Sequence, residues 1–151
     1  MFDTTGYNAL TVNPEVFERL RALAEKGAIA VLRTHVQEDE LRNTKSEAKR
    51  ADLLDVYHAL GSEVPTSGGI WNVSRWNRSR WGNGAGDVKL ADVVSENRRH
   101  LEDALTAATA AAEVDVLVTD DRRLTNRIRA TTSRVEVWRF ERFEAYLRSL
   151  D

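Results

Sequence analysis

The residues best suited to chemistry in this chain are carboxylates placed just beyond apolar runs. Val114 to Asp121 reads VDVLVTDD, an aliphatic and β-branched run that ends in Asp120 and Asp121. An apolar run this short, without strict polar alternation, predicts a strand covered on both faces, as in a parallel sheet. Ligand sites in open α/β sheets lie beyond the carboxyl ends of the strands, where these two acids fall. Ala28 to Val36 predicts a second strand, followed by Glu38, Asp39 and Glu40. Asp3 stands beside the start of the first element, and Asp103 is expected in the first turn of an alanine-rich helix over Leu101 to Glu113. An oxygen-only set of this kind suits a hard cation such as Mg²⁺ or Mn²⁺. One or two such ions could activate water and neutralise charge on a phosphodiester during in-line attack.

Taken singly, each acid has a plainer explanation. The chain has 24 acidic residues, and most surface carboxylates are solvated or cap helices. Asp121 alone reads as a helix N-cap and Asp103 alone as a first-turn acid favoured by the helix dipole. Glu38, Asp39, Asp52, Asp55 and Asp115 are assigned such roles. What sets Asp3, Glu40, Asp103 and Asp121 apart is their recurrence at the ends of successive predicted elements, with Asp120 an additional candidate.

The elements that must position them alternate. Asn13-Pro14-Glu15 predicts a helix start, with Pro at the first helical position, and Val16, Phe17, Leu20, Leu23 and Ala24 form its apolar stripe up to Gly27. Thr44 to Glu47 has the form of a capping box, opening a helix that carries Leu53, Leu54, Tyr57 and Leu60. Asp87 can cap a helix with Leu90, Val93 and Val94. Beyond the TDD strand come a helix over Asp121 to Ala130, a short strand over Val135 to Trp138, and a last helix carrying Phe140, Phe143, Leu147 and Leu150. Strand and helix in alternation predict an α/β fold with a central, mostly parallel sheet and helices on both faces. At 151 residues, one domain is expected, interrupted by an irregular Trp/Arg/Gly-rich excursion over residues 61–86.

Charge is unevenly spread over a formal net of −2. Arg75, Arg78 and Arg80 fall in an acid-free stretch, and Arg122 and Arg123 open another. Both could hold phosphates beside an acidic centre. Trp71, Trp76 and Trp81 suit packing or a homodimer contact better than base stacking. The GNGAG run lacks the Lys-Ser/Thr ending of a P-loop. No catalytic role is assigned to His35, His58 or His100. The absence of cysteine removes thiolate chemistry, and with neither a leader nor an apolar span in view, a cytoplasmic protein without membrane attachment is expected.

Three segments, THVQEDELRNT (Thr34 to Thr44), HLEDALTAATA (His100 to Ala110) and VLVTDDRRL (Val116 to Leu124), together with Asp3, resemble the PIN-domain nucleases. The resemblance spans nearly the whole chain. It implies a three-layer α/β/α sandwich and Mg²⁺- or Mn²⁺-dependent endoribonuclease activity on RNA, expected to be single-stranded. Asp3, Glu40, Asp103 and Asp121 would correspond to the family's acids, Asp120 to a fifth contributor, and Thr4 or Thr5 to an assisting hydroxyl. It further raises the expectation of an antitoxin partner, as for VapC-type toxins. Two features depart from the family: only Met1 and Phe2 precede Asp3, and the excursion is longer than in compact toxins. The rival readings are a catalytically silent PIN-like module that binds RNA or a protein partner, and a phosphotransfer domain using Asp3 or the Asp120-Asp121 pair.

Overall fold

Where Pro14 and Asn13 promise a helix start, the computed structural model, which describes residues 1–69, 73–80, 98–132 and 134–150, forms helix α2 (Pro14–Glu25). Its stripe buries Val16 and Leu20, and the chain leaves it through Gly27 at φ 73°. The Asn13 side chain does not cap it. Its amide donates instead to the carbonyl of Ala9, closing the preceding helix α1 (Thr4–Val12). Helix α1 has no counterpart among the elements expected from the sequence. It is started by Asp3, whose side chain accepts the Gly6 amide, and it buries Tyr7 and Leu10.

The single central sheet does not form, and the three-layer α/β/α sandwich expected from alternation is overturned. Among the described residues there are seven helices and six short strands. The strands pair, all in parallel, as three separate two-stranded sheets. Strand β1 (Leu32–Arg33) pairs with β2 (Ser62–Glu63), β3 (Thr66–Ser67) with β4 (Ser79–Arg80), and β5 (Val116–Val118) with β6 (Glu136–Trp138).

Local physics shortens the strands. The run Ala28 to Val36 is cut at Thr34, whose amide donates to Gln37 Oε1 at 2.7 Å, so that helix α3 (His35–Arg42) begins inside the expected strand. Glu40 therefore rides on a helix and not at a strand end. At the chain start, Asp3 opens α1 so early that only Phe2 bridges to Val118. The Met1 amine donates to the Val116 carbonyl at 3.0 Å.

Helix α4 (Glu47–Ala59) is capped by Ser46, not by the Thr44 of the expected box. Helix α5 (Arg98–Glu113) already includes the three residues before Leu101, which puts Asp103 beyond its first turn. Helix α6 (Arg122–Thr131) buries the expected Leu124 and Ile128, and α7 (Phe140–Ser149) buries Phe140, Phe143 and Leu147 of its expected stripe, whereas Leu150 lies past the helix and is exposed. The apolar packing falls into two larger clusters. Phe2, Tyr7, Leu53, Tyr57 and Phe143 anchor one, and Ala107, Ala110, Leu117, Leu124 and Ile128 the other. The small side chains of Ala107 and Ala110 let α5 pack closely on α6. Trp71, Trp81, the GNGAG run and the expected Asp87 helix lie outside the described residues. Trp76 is 79 % exposed and is no core residue. No helix among the described residues is long and apolar enough to cross a membrane.

Candidate active site

Helices, more than strand ends, carry the acids, and two of the four sit at helix starts. Asp3 and Asp121 are both N-caps, of α1 and α6, and each uses Oδ1 for the task. Asp121 Oδ1 accepts the amides of Arg123 at 2.7 Å and Leu124 at 3.2 Å. The plain capping explanation of Asp121 is therefore correct as far as it goes, yet it occupies one oxygen only. A carboxylate has about four acceptor positions, so capping leaves Oδ2 available for other partners.

Asp3 is held from three sides. Its Oδ1 accepts the Thr5 hydroxyl at 2.7 Å and the Gly6 amide at 2.9 Å, and its Oδ2 accepts the Thr119 hydroxyl at 2.6 Å. Burial drives its carboxyl above the ordinary carboxylate range, and the charge of Asp121 adds to this; the donors from Thr119, Thr5 and Gly6 offset part of the rise. Asp3 is 5 % exposed, so a carboxylate here is costly unless a cation or proton meets it.

The four expected acids share one cavity. Asp3, Glu40, Asp103 and Asp121 all line a polar pocket of about 640 Å³, together with Thr5, Asn8 and Thr106. A smaller cavity of about 330 Å³, walled by Phe2, Val31, Val116 and Trp138, contains none of them. Glu102 also lines the larger pocket and is buried. The sequence reading missed this residue, although its place next to Asp103 on α5 was a usable signal, since neighbours on a helix are only about 100° apart. Gln37 was missed as well. Its side-chain amide donates to the carbonyl of Phe2 while its oxygen takes the Thr34 amide, so one residue ties the seat of Asp3 to the helix that carries Glu40.

Asp120 is set apart. It does not line the pocket, and its carboxylate lies 3.4 Å from Arg139 Nε. Its amide donates to Thr5 Oγ1 at 2.9 Å, so the backbone of Asp120 supports the hydroxyl that supports Asp3. Thr4 lines the pocket too, but Thr5 is the hydroxyl that bonds Asp3.

The arginines divide in the same manner. Arg75 pairs with Asp39, Arg78 with Glu63 and with Glu38 at 3.0 Å, and Arg80 with Glu113 at 2.6 Å. These contacts pin the excursion to α3, β2 and α5. Arg122 is exposed at the start of α6, whereas Arg123 lines the pocket. The Arg123 guanidinium lies 3.8 Å from Asp103 Oδ2 and 3.8 Å from Asp121 Oδ2.

The donor set is matched in kind to a hard divalent ion, being oxygen throughout. It is matched in place as well, since one cavity gathers every expected ligand except Asp120. Spacing is the difference: among the described residues no three His, Cys, Asp or Glu side chains are grouped closely enough to hold an ion as they stand. The Arg123 guanidinium, near two of them, is the cation that faces these acids within the pocket. Compared with known proteins, the chain matches no family model, no curated protein and no solved structure.

Proposed function

We propose that the chain is a divalent-metal-dependent endoribonuclease of the kind implied by its resemblance to PIN-domain nucleases. One observation carries the reading. Asp3, Glu40, Asp103 and Asp121, drawn from four separate stretches of the chain, line the same polar cavity. A structural role for each acid alone would not require them to meet. Asp3, Glu40, Asp103 and Asp121 would hold Mg²⁺ or Mn²⁺, with Glu102 adding negative charge. Such an ion, when bound, lowers the pKa of water and offsets charge on a phosphodiester. Thr119 and Thr5 hold the Asp3 carboxylate in a fixed orientation, and Asn8 and Thr106 offer further polar atoms to substrate or solvent. Arg122 and Arg123, at the start of α6, are the cations best placed to take an RNA phosphate. In this proposal the enzyme is cytoplasmic, and an antitoxin-like protein would act by covering this cavity.

A second reading, a silent module that binds RNA or protein, is favoured by the wide spacing of the acids. Cleavage of a single-stranded RNA with and without Mn²⁺, wild type against Asp103→Asn, separates the two. Metal-dependent cleavage by the wild type that falls at least ~100-fold in the variant supports the nuclease. RNA binding without cleavage, unchanged by the substitution, would leave the silent module.

A further inference from the structure

The cation already inside the pocket points to a built-in competition. We infer that Arg123 is a resident counter-ion that occupies the divalent-ion position between Asp103 and Asp121, and gives it up when the ion arrives. This rests on the metal-dependent reading above and specifies how the site is loaded.

Three features of Arg123 support the exchange. Its guanidinium is equidistant, at 3.8 Å, from Oδ2 of both aspartates, beyond hydrogen-bond range to either. The contact is therefore electrostatic and loose, unlike the 2.7 Å pair of Arg42 with Glu38. The Arg123 side chain is 53 % exposed, while Asp103 is 13 % and Asp121 30 % exposed, so the cation has an open way out and the acids do not. Its backbone is fixed independently, because the Arg123 amide bonds Asp121 Oδ1. The side chain can swing without disturbing the start of α6.

Displacement has a consequence for substrate. A guanidinium expelled from between two carboxylates remains at the rim of the cavity with its fork of donors free for a phosphate. Loading the ion would thus convert Arg123 from a partner of the acids into a partner of RNA. Without the ion, the same arginine offsets part of the negative charge of the two aspartates. Because the two cations compete for one position, whatever strengthens the hold of Arg123 on the aspartates weakens the binding of the ion.

The test is a calorimetric Mn²⁺ titration without RNA, on wild type, Arg123→Gln, Arg123→Lys and Asp103→Asn, each first shown to unfold at a similar temperature. Arg123→Gln should bind Mn²⁺ roughly 5- to 20-fold more tightly than wild type. Arg123→Lys, which keeps the charge, should stay near wild type. Equal or weaker binding by Arg123→Gln, with wild-type binding that Asp103→Asn abolishes, would overturn the competition and leave the metal site standing. If neither the wild type nor Arg123→Gln binds Mn²⁺, both the competition and the metal-dependent reading fall.

Discussion

Thr119 donates its hydroxyl to Asp3 Oδ2 at 2.6 Å, joining the end of β5 to a residue 116 positions earlier. The same oxygen of Thr119 accepts the Asp121 amide at 2.9 Å. One hydroxyl therefore sets the positions of two acids of the candidate site, and it does so from a residue that is 1 % exposed. The strand that looked important for the charge at its end matters equally for the last uncharged residue before it.

Asp3→Asn tests whether the buried acid is kept for function. Burial pushes its carboxyl above the ordinary carboxylate range, so the native state binds this proton more tightly than the unfolded chain does. The stability it contributes is present below about pH 4 and is lost as pH rises through the folded-state value. Asparagine caps a helix as well as aspartate and carries no charge to bury. At pH 7 the variant loses an acceptor for the Thr119 hydroxyl but buries no charge, so its stability in urea should stay close to wild type, with cleavage abolished. A variant that is clearly less stable at pH 7 than at pH 4 relative to wild type would show that the Asp3 charge is structural.

Arg78→Ala should unfold the protein more easily without touching the pocket acids. Burial works to raise the Glu38 carboxyl, but hydrogen bonds from Arg42 and Arg78 outweigh it and hold the group below its ordinary value; Glu63 is lowered chiefly by Arg78. Removing Arg78 leaves the buried Glu38 short of one partner and costs about 2–3 kcal/mol, below the range for a fully buried pair because Arg78 is 22 % exposed. Depressed carboxylates contribute stability above their unfolded value near 4.5 and lose it as pH falls through the folded one. The difference between wild type and variant should shrink below that pH. A difference that stays constant from pH 7 to pH 3 would remove the ion pairs as its cause.

Two glycines with the same backbone should respond differently to alanine. Gly27 and Gly61 both have φ of 73°. An added Cβ at Gly27 meets nothing within 4 Å, whereas at Gly61 it would lie 2.0 Å from the carbonyl oxygen of Val31. Gly27→Ala should cost only the left-handed backbone penalty, about 1–2 kcal/mol. Gly61→Ala adds a clash with the acceptor of the Ser62 amide, and should disrupt the β1–β2 pairing as well. Urea denaturation would compare them, and equal losses would contradict the close approach at Gly61.

What could be read from the sequence was what short-range chemistry controls. Pro14 after Asn13, the stripe of Leu124 and Ile128, and that of Phe140, Phe143 and Leu147 are set by a 3.6-residue period and its end signals, and each helix is where those signals place it. Helix α1 escaped because it buries Tyr7 and Leu10 in nine residues containing a glycine, too little periodicity to register. The acids were visible by type and order. Whether they met was not, since Asp3 depends on Thr119 and Gln37 on Phe2, contacts that no local pattern encodes. Strand length was equally hidden: a strand extends only as far as a neighbouring edge accepts its hydrogen bonds, and the caps at Thr34 and Asp3 ended two of them early. Residue type thus determined which side chains could do chemistry. Long-range hydrogen bonds and ion pairs decided which of them share a cavity, because those energies exist only once distant segments have packed.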